Sequence, residues 1–193
     1  MRTTGHHTCS NENGEEYIKQ NAPFKSIKKH KNQGGGQKSY VPFLGEGYYY
    51  WDTDLEIAHS WGVNQYQNQY AIVESQLELP GEKEFCDLVG NRKHMIQILE
   101  LANKFRPNEL KSGKLTLGVF IQVLKKLNRT DYKGIFPYKA IRAVDLSHNP
   151  PKESRIKFAE HASQSYMSLS PKLVICLIEK NGIVLDVDII HMS

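Results

Sequence analysis

Residues 44–62 have the sequence LGEGYYYWDTDLEIAHSWG, which joins a strand pattern to a helix pattern. The aromatic run at 47–51 is typical of a β-strand, because aromatic side chains pack well on a pleated sheet. Thr53 followed by Glu56 predicts a capping box at the start of a helix, and we expect this helix to end at Gly62. The residues with helical spacing are Leu55, Ala58 and Trp61.

Patterns elsewhere in the chain predict strands near both ends and helices in the middle. Ser10 is expected to cap a first helix that extends to about Gln20, and the polar stretch 26–40 predicts a long flexible loop. Asn181-Gly182 lies between two β-branched runs and predicts a hairpin. Further strands are expected at 2–7, 70–79 and 140–146, and helices at 92–105 and 116–128. Together these elements indicate one mixed α/β (α+β) domain spanning 1–193.

The composition is that of an ordinary globular protein: 193 residues, 39% hydrophobic and 24% charged, with a net charge of +4. No apolar run approaches the roughly 18 residues of a membrane span, and the start of the chain lacks the apolar stretch of a signal peptide. The cysteines Cys9, Cys86 and Cys176 are odd in number and widely spaced, so no disulfide framework is expected. We therefore expect a cytoplasmic protein without a membrane partner.

The 44–62 segment resembles the central motif of the ADP-ribosyltransferase superfamily. It is closest to the branch that includes poly(ADP-ribose) polymerases and diphtheria-type toxins, in which a glycine-aromatic strand precedes an acidic turn and a helix. GHHTCS, which opens the second matching segment at 5–26, is similar to the opening H-G-[ST] strand of the family. His7 is aligned with the motif histidine, which leaves Thr8 where the family usually has glycine.

This resemblance implies an ADP-ribosyltransferase-like split β-sandwich with flanking helices, and NAD⁺ as substrate without a metal. His7 would hydrogen-bond a ribose hydroxyl, the backbone at Thr8 would hold the carboxamide, and Tyr49 would stack on the nicotinamide ring. Ser10 is assigned to the adenosine side and Gly47 to the same NAD⁺ site. His7 and Tyr49 are the predicted catalytic residues, and we expect their side chains to line one cleft.

The family also places a glutamate at the start of a late strand, and the equivalent segment here is KLVICLIE at 172–179. No acidic residue opens it, and Glu179 stands at the opposite end. This departure argues against poly(ADP-ribose) chain formation. It leaves three alternatives: a single transfer, an acid supplied from elsewhere in the chain, or an inactive enzyme.

The resemblance thus predicts a mono-ADP-ribosyltransferase that modifies a macromolecule, as a toxin or phage-defence effector with an antitoxin as a further partner. Nucleic acid is the favoured acceptor, because a basic cluster would attract its phosphates. This cluster consists of Lys25, Lys28, Lys29, His30 and Lys31, and a solvated surface without a partner is the alternative interpretation of it. The alternatives are an NAD⁺ glycohydrolase and an inactive nucleotide- or RNA-binding module.

Overall fold

A computed structural model describes residues 1–33, 36–145, 155–157, 166–168 and 171–193. The helices are α1 (Glu15–Asn21), α2 (Leu55–Tyr66), α3 (Arg92–Phe105), α4 (Pro107–Lys111) and α5 (Leu117–Arg129). The first six strands are β1 (Arg2–Ser10), β2 (Lys25–Ser26), β3 (Lys29–Gln33), β4 (Gly36–Tyr40), β5 (Gly47–Asp52) and β6 (Tyr70–Glu78). The others are β7 (Phe85–Asp87), β8 (Ala140–Val144), β9 (Arg155–Lys157), β10 (Tyr166–Ser168), β11 (Leu173–Leu177) and β12 (Asp188–Met192).

An eight-stranded sheet organises the described part of the chain, in the order β12-β6-β1-β5-β11-β8-β7, with β2 paired to β5 off this path. Neighbouring strands are antiparallel except β7 and β8, which are parallel. The pairs β3–β4 and β9–β10 form separate two-stranded sheets. The mixed α/β class predicted from the sequence is confirmed by this arrangement. No helix in these ranges is long and apolar enough to cross a membrane.

Side chains of the large sheet alternate between two faces, and each face has its own core. On one face, Val174 and Cys176 of β11 pack with α3 and α5, while α2 covers Ile72. On the other face, Cys9 and Val73 pack against α1. We call these the α2 face and the α1 face.

The helix pattern of residues 44–62 begins and ends differently from the prediction. Asp54, rather than Thr53, caps α2: its carboxylate accepts a hydrogen bond of 2.9 Å from the Ile57 N–H. The helix also passes through Gly62 and continues to Tyr66. Position 62 is a glycine inside the helix because a Cβ there would overlap the Tyr70 ring.

Two of the predicted connections are wrong. The 26–40 stretch contains β3 and β4, which pair with each other, although it has no apolar alternation; Gly34 and Gly35 lie outside the described residues. The segment around Asn181-Gly182 does form a turn, but the strands on its two sides do not pair. β11 lies between β5 and β8, whereas β12 pairs with β6 at the far edge of the sheet.

Candidate functional site

His7 is a buried histidine whose two ring nitrogens both bond to backbone groups. Nδ1 lies 2.8 Å from the Tyr49 carbonyl oxygen, and Nε2 accepts a hydrogen bond of 3.1 Å from the Phe24 N–H. These partners require the neutral tautomer that carries its proton on Nδ1. Burial is the main cause that lowers the pKa of His7 from 6.5 to about 4. His7 therefore joins β1, β5 and the segment after α1, and neither ring nitrogen is left for a ligand.

Tyr49 holds the turn that precedes its own strand. Its hydroxyl donates to the Gly45 carbonyl oxygen at 2.6 Å and accepts from the Leu44 N–H at 2.7 Å. The ring is half-buried against the core of the α2 face, and burial raises the pKa of the phenol. The hydroxyl thus has a structural function, and part of the ring remains accessible.

Replacing Tyr49 by phenylalanine should lower the free energy of unfolding by about 2 kcal/mol, because the buried Leu44 N–H loses its partner. Urea unfolding measures the change. Tyr48→Phe is the matched control, since the Tyr48 hydroxyl has no hydrogen-bond partner in the part of the chain that the structure describes. Equal midpoints for the two variants would contradict the assigned role of the Tyr49 hydroxyl.

The remaining predicted site residues have local structural roles. The Thr8 hydroxyl donates to the Ala58 carbonyl oxygen at 3.0 Å and so fixes α2 to β1. The Ser10 hydroxyl accepts from the Glu12 N–H at 3.3 Å, whereas α1 has Gly14 at its N-cap, so the predicted Ser10 cap is wrong. Gly47 lies against β11, where an added Cβ would be 2.6 Å from the Leu177 carbonyl oxygen.

The side chains of His7 and Tyr49 lie on opposite faces of the sheet. The His7 ring lies 5.8 Å from the ring of Tyr50, which packs in the core of the α1 face. Tyr49 is the neighbour of Tyr50 in β5 and points the other way, toward the core of the α2 face. The prediction that His7 and Tyr49 line one cleft is therefore wrong.

His6, one residue earlier, shares the α2 face with Tyr49. It lies directly opposite Trp51 in β5 and opposite Glu74 in β6, so the three side chains form a row across neighbouring strands. The His6 Nε2 is 3.1 Å from a Glu74 carboxylate oxygen. Trp51 contacts Trp61 of α2, with ring centroids 5.5 Å apart. We call Glu74, His6 and Trp51 the site row.

Two polar groups in the site row have hydrogen-bonding capacity for a ligand. The Nδ1 of His6 is buried and has no hydrogen-bond partner among the described residues. Because the Glu74 carboxylate favours a proton on Nε2, this Nδ1 offers a lone pair. The Glu74 side chain is 40% exposed, so its carboxylate is open to solvent. The row therefore contains an unpaired buried nitrogen, an exposed carboxylate and an indole ring on one face.

The sequence also permits a second alignment, which places the family's motif histidine at His6. Aligning His6 with the histidine of H-G-[ST] puts Thr8 on the serine/threonine position, and only His7 then departs from the motif. The two alignments differ by one residue, which in a strand places the histidine side chain on opposite faces of the sheet.

No group of three or more histidine, cysteine, aspartate or glutamate side chains in the described ranges could hold a metal ion. A comparison of the chain with protein-family models, with curated proteins and with solved structures finds no match.

Proposed function

We propose that this protein is an NAD⁺-dependent ADP-ribosyltransferase that uses the site row on the α2 face. The observation that carries the proposal is the order of the strands. β1 bears the H-x-[ST] pattern, β5 bears the glycine-aromatic motif, and β11 is the late apolar strand; the three are consecutive neighbours in the sheet. Segments far apart in the sequence thus lie side by side in the sheet, which a site shared by the three motifs needs.

The chemistry of the site row suits a dinucleotide. Cleavage of the nicotinamide–ribose bond passes through an oxocarbenium-like transition state, so a protein that catalyses it has to hold the ribose and stabilise developing positive charge. In the proposal, the Nδ1 of His6 accepts from a ribose hydroxyl and the Glu74 carboxylate stabilises the sugar cation. Trp51 offers a ring for stacking at low cost in conformational entropy. Tyr49 and Thr8 act as positioning residues, because they hold the strands on which the row stands.

Glu74 is also the acid that the late strand lacks. β11 has the sequence LVICL, without a carboxylate, whereas Glu74 lies on the same face as Tyr49 and beside His6. We propose a single transfer of ADP-ribose to a macromolecule, with Glu74 as the carboxylate on the ribose. We further propose that the protein acts in the cell as a toxin or phage-defence effector with an antitoxin as partner.

Incubation with NAD⁺ labelled on the adenylate phosphate, in the presence of separate pools of DNA, RNA and protein, tests the proposal. The expected result is release of nicotinamide and transfer of label to one pool. Glu74→Gln should lower nicotinamide release by about 100-fold, because the amide keeps the shape but loses the charge. Glu78→Gln is the control on the same strand, since the exposed Glu78–Arg2 pair contributes little to stability.

Because β11 contains no acidic residue, a second candidate is an inactive module that binds NAD⁺. Thermal unfolding separates the two, since a ligand at about 100 times its Kd stabilises the native state by roughly 2.7 kcal/mol. Protection by NAD⁺ without nicotinamide release indicates the inactive module, and label found only in free ADP-ribose indicates hydrolysis. If millimolar NAD⁺ gives no thermal protection and no nicotinamide is released, the proposed NAD⁺ site is rejected.

A further inference from the structure

A pocket of about 410 Å³ lies between β2 and the C-terminal half of α5. Four of its side chains are cationic, and they come from two separate elements. They are Lys25 of β2 and Lys125, Lys126 and Arg129 of α5. Of the lysine cluster predicted from the sequence, Lys25 belongs to this pocket; the side chains of Lys29 and Lys31 are outside the described part of the structure.

The positive charge of this pocket is poorly compensated by the protein. Within the described residues, none of the four cations forms an ion pair with a carboxylate. Glu46 is the one acidic residue in the lining, and its carboxylate accepts a hydrogen bond of 3.0 Å from the Lys28 N–H. Lys126 and Arg129 lie in the last turn of α5, where the helix dipole favours them, but Lys25 has no such compensation.

Lys125 is held in place inside the pocket. It is half-buried, and its Nζ donates to the Glu46 carbonyl oxygen at 3.1 Å. Burial is the main cause that lowers the pKa of Lys125. The nearby charges of Lys25 and Arg129 lower it further, whereas Cys176 and Glu46 raise it. An anion in the pocket would raise the pKa of Lys125, because an opposite charge nearby favours the ammonium form.

We infer that this pocket binds a phosphate group. Clustered lysine and arginine side chains give several charge-assisted hydrogen bonds to phosphate oxygens, and Gln122 and Thr130 add neutral polar groups to the lining. The phosphate belongs either to the backbone of a nucleic-acid strand or to a free nucleotide. This inference does not depend on cleavage of NAD⁺, although Glu46 directly precedes Gly47 of the glycine-aromatic motif.

Fluorescence anisotropy with a labelled single-stranded oligonucleotide of about 12 nucleotides tests the backbone source, since single-strand sites span several nucleotides. Direct titration with inorganic pyrophosphate, followed by calorimetry, tests the free-nucleotide source. The variant replaces Lys125, Lys126 and Arg129 by glutamine. At about 50 mM salt it should bind the oligonucleotide at least about 10-fold more weakly, with the slope of log K against log salt reduced by about 2 to 3.

A matched control removes the same charge from exposed lysines elsewhere. These are Lys93, Lys111 and Lys114, each replaced by glutamine. A second variant, Lys126→Gln with Arg129→Gln, leaves the Lys125 bond to Glu46 in place and so guards against a folding defect. Loss of oligonucleotide binding in the pocket variants alone supports a backbone phosphate. Loss of pyrophosphate binding in the pocket variants but not in the control variant supports a free nucleotide. Equal losses in pocket and control variants, or no loss for either probe, overturn the inference.

Discussion

Gly47→Ala should destabilise the protein by more than about 4 kcal/mol, a larger effect than most single substitutions have. The added methyl group would meet Cys176 Sγ and would lie 2.6 Å from the Leu177 carbonyl oxygen. Backbone at the centre of a sheet cannot move aside as a flexible side chain can. β5 would have to separate from β11, and both strands contribute to the cores of the two faces. Overpacking against backbone is the cause of the loss.

Urea unfolding, followed by circular dichroism, measures this effect through the midpoint. Gly81→Ala is the matched control, because an added Cβ there meets nothing within 4 Å. The control should shift the free energy of unfolding by less than about 0.5 kcal/mol, as exposed substitutions usually do. Similar midpoints for Gly47→Ala and Gly81→Ala would show that close approach to β11 is not the reason for glycine at position 47.

Local periodicity explains which elements the sequence could predict. The apolar stripes of α3 and α5 and the aromatic run of β5 are properties of neighbouring residues, and the structure confirms helices at Arg92–Phe105 and Leu117–Arg129. The partners of a strand depend instead on residues far away. β12 pairs with β6, more than a hundred residues earlier in the chain, although the Asn181-Gly182 turn suggested a nearer partner. A turn pattern fixes the local direction of the chain and leaves the choice of strand partner to the rest of the sheet.

In the candidate site, too, the local sequence could not decide between two neighbouring residues, because the choice depends on distant strands. The motif pattern located β1 and β5, but the choice between His6 and His7 needed the register of the two strands. His6 faces Trp51 and Glu74, whereas His7 bonds to the backbone at Tyr49 and Phe24. Glu74 itself carried no motif, since its proximity to His6 results from the β1–β6 pairing.

The role of His7 in linking three backbone segments predicts a large loss on its removal. His7→Leu keeps an apolar side chain of similar bulk but leaves the Tyr49 carbonyl and the Phe24 N–H without their partners. Each unpaired group costs about 1–3 kcal/mol, so the free energy of unfolding should fall by about 2–6 kcal/mol at pH 7.5. Urea unfolding at that pH measures the loss.

His7 should also give the protein a characteristic sensitivity to acid. Its pKa is about 4 in the folded state and 6.5 when the chain is unfolded, so between these values the unfolded state binds more protons. Above pH 6.5 the contribution of His7 to stability therefore does not change with pH, and it declines as the pH falls from 6.5 toward 4. The shift corresponds to about 3 kcal/mol over that window, at about 1.4 kcal/mol per pKa unit.

Comparing urea midpoints of the parent and His7→Leu at pH 7.5, 6.0, 5.0 and 4.0 isolates this contribution, because the other titrating groups are common to both proteins. The parent begins more stable and should lose its advantage as the solution becomes acidic, so that the two stability curves converge. Burial of the neutral imidazole is the cause, since protonation would require a charge in the core and would remove the acceptor for the Phe24 N–H. Curves that stay parallel from pH 7.5 to 4 would contradict the assigned protonation state of His7.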